Sequence, residues 1–348
     1  FNDTGPSVRK KVLRILKSMC AEGLTSERQC IDVCVNISAG ILDGQETIQK
    51  EVLGTFHEMW VLKKRHKVEG GHLDRADLVI KVASSRRAAK DLLVEILERL
   101  LREFKETRKA FKEICTEVKK KLLELKEDDS NYLPKLEEYS KTFMLFCDTD
   151  SSLLVEHTKF VQPYLDSLMT DLPKDKIMLK MRSDVMASLL EVLRQTIPAI
   201  QPPYGKLFES LVADLKKIIR CEDMSVLRAA VPCICAVAKK EEKHVQSAQR
   251  IFRVFLNFLI KETKAMKANG TIPDNKRKTV IRSMYCLGLL VKNFDFTSSD
   301  MPNPAAVVFK ILIEYCKGGN PLFKRIAIQG LFHIFTRDPD LMSKSFSA

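Results

Sequence analysis

At 348 residues the chain exceeds the usual size of a single compact core, so two domains or a repeat array are expected. Gly and Pro number only 13 each, which argues against a turn-rich β fold and against nucleotide folds built on glycine loops. A formal net charge of +13 favours polyanionic partners and says nothing of fold. No apolar run approaches the roughly 18 residues that a membrane helix needs, so no membrane partner is expected. The first residue is Phe1, as in a piece of a longer protein, and no signal-peptide pattern is visible.

The first helix follows Gly5-Pro6, with Ser7 as its expected N-cap. Val8, Val12, Ile15, Leu16 and Met19 recur at helical spacing and predict its buried face. Lys10, Arg14 and Lys17 fall on the opposite side, and Gly23 ends the helix. A second helix is expected from about Ser26 to Ser38, and a third from about Glu46 to Leu62. The third carries the only tryptophan, Trp60, on one face with Val52, Phe56 and Met59, which predicts burial.

The charge run Lys63-Lys64-Arg65-His66-Lys67 and the pair Gly70-Gly71 break the pattern and predict a flexible charged loop. The chain is thereby divided into 1–62, helices with a basic first member; 63–75, the loop; and 76–348, a continuing helical array. Between Ala88 and Leu125 apolar residues alternate at spacings of 4 and 3 with one gap near Arg108, which predicts two helices meeting around Glu106. Glu127-Asp128-Asp129-Ser130 is a polar break. Further helices are expected over about Leu133–Cys147, Leu153–Met169, Lys174–Ile197, Gly205–Arg220, Ser225–Lys239, Val245–Ala268, Lys276–Asn293, Ala305–Lys317 and Leu322–Thr336. Connectors such as Asp171-Leu172-Pro173 and the stretches from Pro198 to Pro203 and Gly270 to Pro273 separate them. No strand alternation is apparent, and no sheet is expected.

A weak internal repeat runs through the chain. Pro6-Ser7-Val8-Arg9 before Val12 and Leu16, Ser225-Val226-Leu227-Arg228 before Val231 and Cys235, and Asn320-Pro321-Leu322-Phe323 before Ala327 and Leu331 share one grammar. It is the grammar of HEAT repeats, in which a helix pair cannot bury its own apolar face and neighbours must stack. The fold class expected is all-α: a HEAT-repeat solenoid of antiparallel helix pairs, curved or hook-shaped, with about seven or eight units of ~40–47 residues.

Chemistry-bearing motifs are absent. There is no P-loop, no GxSxG and no HExxH, and the six histidines are scattered, so no catalytic residue and no cofactor is assigned. Ten cysteines include the i, i+4 pair Cys30 and Cys34 and the near neighbours Cys233 and Cys235, but no paired CxxC, so no metal is assigned and buried reduced thiols are expected.

Cations on rigid helices are the functional candidates, because each neutralised phosphate releases counterions. The first helix offers Arg9, Lys10, Lys11, Arg14 and Lys17; a helix end offers Lys216, Lys217 and Arg220; a helix start offers Lys276, Arg277 and Lys278. For Arg9 a purely structural role competes, since in HEAT arrays an arginine at this step often pairs with an aspartate of the next repeat; Arg228 has the same ambiguity. Lys119-Lys120-Lys121 reads as a solvated face. Aromatics do not interleave with the cations, so contacts to a duplex backbone without base readout are expected.

Several stretches resemble one family beyond generic repeat grammar. The basic helix Ser7–Leu16, the segment Thr55-Phe56-His57-Glu58-Met59-Trp60, Glu156-His157-Thr158-Lys159 with Gln162-Pro163-Tyr164-Leu165, and Gly288–Phe296 look like segments of the Nipped-B-like cohesin loaders, in the same order. Gly330-Leu331 leading to Asp338-Pro339-Asp340-Leu341-Met342 is similar to the repeat that closes that segment. The Lys63–Asp74 and Lys119–Asp129 regions carry no specific match. The resemblance implies a nuclear, chromatin-bound factor without its own ATPase. Its solenoid would bind double-stranded DNA and the ATPase heads and kleisin of cohesin, stimulating ATP hydrolysis, loading and loop extrusion. A Mau2-type partner subunit would bind a region outside this one. The alternative is a HEAT-repeat adaptor or regulatory scaffold that binds acidic protein partners without DNA.

Overall fold

The computed structural model describes residues 5–85, 89–126, 129–170, 172–298 and 301–339. Ala88, Glu127, Asp128, Asp171 and residues 340–342, which figure in the sequence reading, lie outside the described residues. The chain forms two compact units, Phe1–Ala199 and Ile200–Ala348.

The first unit contains α1 (Pro6–Glu22), α2 (Glu27–Ser38), α3 (Glu46–Phe56), β1 (Arg65–Val68), β2 (Gly71–Asp74), α4 (Arg75–Ser84), α5 (Lys90–Glu103), α6 (Thr107–Leu123), α7 (Tyr132–Thr149), α8 (Thr158–Thr170) and α9 (Lys176–Thr196). The second contains α10 (Leu207–Cys221), α11 (Met224–Lys240), α12 (Val245–Asn269), α13 (Asp274–Asn293), α14 (Pro304–Lys317) and α15 (Pro321–Arg337). The two helices expected to meet near Glu106 are α5 and α6.

Local chemistry explains where the helices begin. Ser26 caps α2 reciprocally with Gln29, each side chain bonding the other's backbone N–H. Asp175, Asp223, Asn303 and Asn320 accept first-turn N–H groups of α9, α11, α14 and α15. At α1 the N-cap is Gly5, not Ser7, because Pro6 occupies the first helical position, where its missing N–H costs nothing. Past Phe56, α3 continues as a π-helical segment, His57–Leu62.

Contacts within each unit have solenoid geometry. In the second unit, Glu262 late in α12 meets Lys276 early in α13, and Tyr315 late in α14 meets Phe323 early in α15, so successive helices run antiparallel. Alternate helices run parallel: Thr263 of α12 bonds Tyr315 of α14, and Arg337 at the end of α15 bonds the Val291 carbonyl near the end of α13 at 2.5 Å. The first unit repeats the scheme. Arg182 of α9 donates to the Leu168 carbonyl near the end of α8, while Cys147 of α7 donates to the Val192 carbonyl of α9 at 3.8 Å. From α6, Arg108 reaches Asp150 just past the end of α7, and Tyr164 of α8 reaches the Leu122 carbonyl of α6, both across 42 residues. That offset falls in the period expected of HEAT units.

Three expectations are corrected. The segment expected as a loop without sheet contains an antiparallel two-stranded ribbon, with His66 opposite Leu73 and both buried. Lys67 and His72, one step along, point to solvent, as the period of two requires. Gly70, at φ +84°, supplies the turn. The charge run masked this alternation. Second, α4 is a helix that the sequence pattern did not suggest. Ala76, Leu78, Val79, Ile80 and Val82 are all buried, and only Asp77 and Lys81 mark a polar side, so the amphipathic contrast is weak. Third, the expected buried face of α1 is turned out: Val8 is 47% and Ile15 59% exposed, and Val12 and Met19 are exposed as well. Leu13 and Cys20, two turns apart, are the buried residues, because α1 packs on α3 and β1 along that line.

Trp60 is fully buried, with its ring edge-on to Phe56 at 4.9 Å. The ten cysteines are all free thiols, eight of them buried. Burial pushes the Cys147, Cys235 and Cys286 thiols up to about 12, so they remain protonated and inert.

Candidate polyanion-binding surfaces

The cations of α1 divide into two sets. Arg9 Nη2 donates to Asp43 Oδ1 at 3.1 Å, and its Nε lies 2.9 Å from Oδ2, in a largely buried pair. The backbone N–H of Gln45 and the Arg9 guanidinium hold the Asp43 carboxyl below the usual carboxylate range. This is the arginine–aspartate link between repeats, so Arg9 is committed to structure. One and two turns on, Arg14 Nε donates to Glu51 at 3.2 Å and Lys17 Nζ lies 2.7 Å from Glu58. Lys63 clamps the other Glu58 oxygen at 2.8 Å, and the two lysines, Lys17 foremost, hold this carboxyl below its usual range. Lys10 and Lys11 have no carboxylate partner among the described residues, which leaves them the readiest to meet a phosphate.

The other two candidate groups divide the same way. Lys276 Nζ sits 2.8 Å from Glu262, a carboxylate only 2% exposed, and so fastens α13 to α12. Arg277 Nε lies 2.9 Å from Asp274 on its own helix, while Lys278 is exposed. On α10, Lys217 stands 3.8 Å from the buried Asp214, Lys216 is half-buried and Arg220 is exposed in the last turn. There the helix dipole already favours a cation. Arg228 is exposed on α11 and, unlike Arg9, has no carboxylate partner among the described residues.

A denser basic surface escaped the sequence reading. The ribbon and the start of α4 face α6 across a groove of about 830 Å³, whose lining cations outnumber carboxylates by eight to three. Lys64 and Arg65 stand on the ribbon side, and Lys105, Arg108, Lys109 and Lys112 on the α6 side. Beneath them Arg75, 6% exposed, donates to the Val61 carbonyl at 3.0 Å and to Glu113 at 3.0 Å. Arg75, with Lys64 and Lys109 nearby, holds the Glu113 carboxyl below its usual range. The sequence signal was a basic run at helical spacing, Lys105-Arg108-Lys109-Lys112, facing a second basic run at 63–67. Only the fold of the ribbon brings the two together.

Parallel alternate helices, an inter-repeat arginine–aspartate link and basic helical surfaces define an all-α repeat protein of the HEAT type. No family model matches the chain. It is 26% identical over 361 residues to Nipped-B-like protein B of Danio rerio and 25% identical over 359 residues to the Nipped-B-like protein of Homo sapiens, with 98% of the chain covered in each case. The Nipped-B protein of Drosophila melanogaster is 21% identical over 361 residues, covering 94% of the chain. The likeness to Nipped-B-like proteins thus runs over nearly the whole chain. The chain spans 12% of the length of the zebrafish and human relatives and 17% of the fly one.

Proposed function

We propose that this chain is the repeat region of a cohesin-loading factor, acting in the nucleus on chromatin. In this reading it has no catalytic centre of its own. It binds double-stranded DNA through the phosphate backbone and contacts the ATPase heads and kleisin of cohesin, so that ATP hydrolysis, loading and loop extrusion by the partner are stimulated. A Mau2-type subunit would join through a region outside this one. The observation that carries the reading is the end-to-end likeness to Nipped-B-like proteins, supported by the surplus of cations on helix surfaces.

The cations without carboxylate partners among the described residues, Lys10, Lys11, Arg220 and Lys278, are the preferred DNA contacts. Arg9, Arg14, Lys17, Lys217, Lys276 and Arg277 already neutralise carboxylates and would have to exchange one anion for another. Lys216 is half-buried beside this second set. The test is duplex binding by the chain across a salt gradient. Phosphate contacts give a log–log slope of about −0.9 per contact and similar affinity for unrelated sequences. Salt-independent binding, or none, would leave an adaptor without DNA as the better reading.

A further inference from the structure

We propose that the groove between the β1–β2 ribbon and α6 is a docking site for an extended acidic segment of a partner protein. Six of its cations, Lys64, Arg65, Arg75, Arg108, Lys112 and Lys121, face carboxylates of this chain, whereas Lys105 and Lys109 are not placed for the stability of their own elements. Arg108 and Lys109 lie in the first turn of α6, which contains no acidic residue, and Lys105 just precedes it. Cations there oppose the positive end of the helix dipole and cost stability. Lys105 and Lys109 are exposed and have no carboxylate partner among the described residues.

Size and charge pattern select the occupant. A concavity of about 830 Å³ has the size of pockets that enclose a small ligand or a few residues of chain. A duplex is far wider and would ride across the rim. The walls are also interrupted by fixed carboxylates: Glu113 is held by Arg75 at 3.0 Å, Asp74 by Arg65 at 3.1 Å and Glu117 by Lys120 at 2.9 Å. A continuous row of phosphates would meet these anions. A peptide whose Asp or Glu side chains alternate with small neutral residues can pass them and still reach cations on both walls. Its neutral positions would pass the uncharged lining residues Ala76 and Thr116. Lys105 and Lys109 supply the free charge, while Arg65 and Arg108 are already held by Asp74 and Asp150 and would have to exchange partners to join in.

The test compares two fluorescent probes on the chain, a synthetic peptide of alternating Glu and Ser and a mixed-sequence DNA duplex, read by anisotropy. The variants are Lys105→Glu/Lys109→Glu and its neutral counterpart Lys105→Gln/Lys109→Gln, with Lys10→Glu/Lys11→Glu as the control on α1. Circular dichroism and the melting temperature verify folding. The expected result is a loss of peptide affinity of about ten-fold or more in the reversed pair, with a smaller loss in the neutral pair. The control should keep full peptide affinity, and the groove variants should change duplex affinity less than about two-fold. Unchanged peptide affinity in both groove variants overturns the proposal. So does an equal or larger loss of duplex affinity, which makes the groove a phosphate surface.

Discussion

Gly288 of α13 and Gly330 of α15 face each other so closely that a Cβ on Gly288 would lie 2.7 Å from the Gly330 Cα and 3.1 Å from its carbonyl oxygen. The obstacle is backbone, which cannot rotate away. Gly288→Ala should therefore push the two helices apart and destabilise the second unit by about 1–3 kcal/mol, seen as a lower urea midpoint. At Gly330 the nearest atom is the Leu312 Cδ1 tip at 2.8 Å, which can move, so Gly330→Ala should cost less. Equal effects would show that the close approach does not control packing here.

Trp60 supplies a second stability test. Its indole is fully buried and its Nε1 has no hydrogen-bond partner. Trp60→Ala should cost about 3–5 kcal/mol in the first unit. Trp60→Phe should recover most of that loss, since no indole hydrogen bond is sacrificed. A melting temperature unchanged by Trp60→Ala would contradict the packing role.

His66 makes the ribbon sensitive to acid. Burial lowers its pKa, opposed by a bond to the Met59 backbone, and Lys63 and Arg75 lower it further. The folded state then binds a proton less readily than the unfolded state, so its stability falls as pH drops below the unfolded value near 6.5. Between about pH 7.5 and 5.5 the wild-type chain should lose stability more steeply than His66→Gln, measured by urea titration. The same slope in both proteins would assign the acid sensitivity to other groups.

The two sets of cations predict separable phenotypes. Lys10→Glu/Lys11→Glu should flatten the salt dependence of duplex binding by up to about two units at an unchanged melting temperature. Lys276→Ala leaves the buried Glu262 carboxylate without its cation and should cost about 1–3 kcal/mol of stability. If Lys276→Ala is stable and impairs only DNA binding, the division between the two sets fails.

The sequence carried the helices where one face is apolar and the other charged, as in α5 and α6, and their order followed from the breakers between them. It failed where that contrast vanishes. Mostly buried α4 offers only the narrow polar stripe of Asp77 and Lys81 to set a phase, and the ribbon hides its alternation of His66 and Leu73 under a run of charges. Periodicity also marks a stripe without saying what covers it: the apolar line of α1 is exposed, and Leu13 and Cys20 are buried instead. Of the candidate site, the link from Arg9 to Asp43 could be anticipated from repeat grammar. The groove could not, because it needs α6 and the ribbon, far apart in sequence, to be placed face to face.

The π-helical segment His57–Leu62 bears on how the chain tolerates changes of length. A π turn holds about one residue more than an α turn. One residue deleted within His57–Leu62 could be absorbed by a return to ordinary helical spacing, leaving Arg9, Arg14 and their partners upstream and the ribbon downstream where they are. The same deletion earlier in α3 would rotate every following side chain by about 100° and swing Phe56 off its buried face. The helix thus has an expansion joint at its C-terminal end, next to the ribbon that forms one wall of the basic groove.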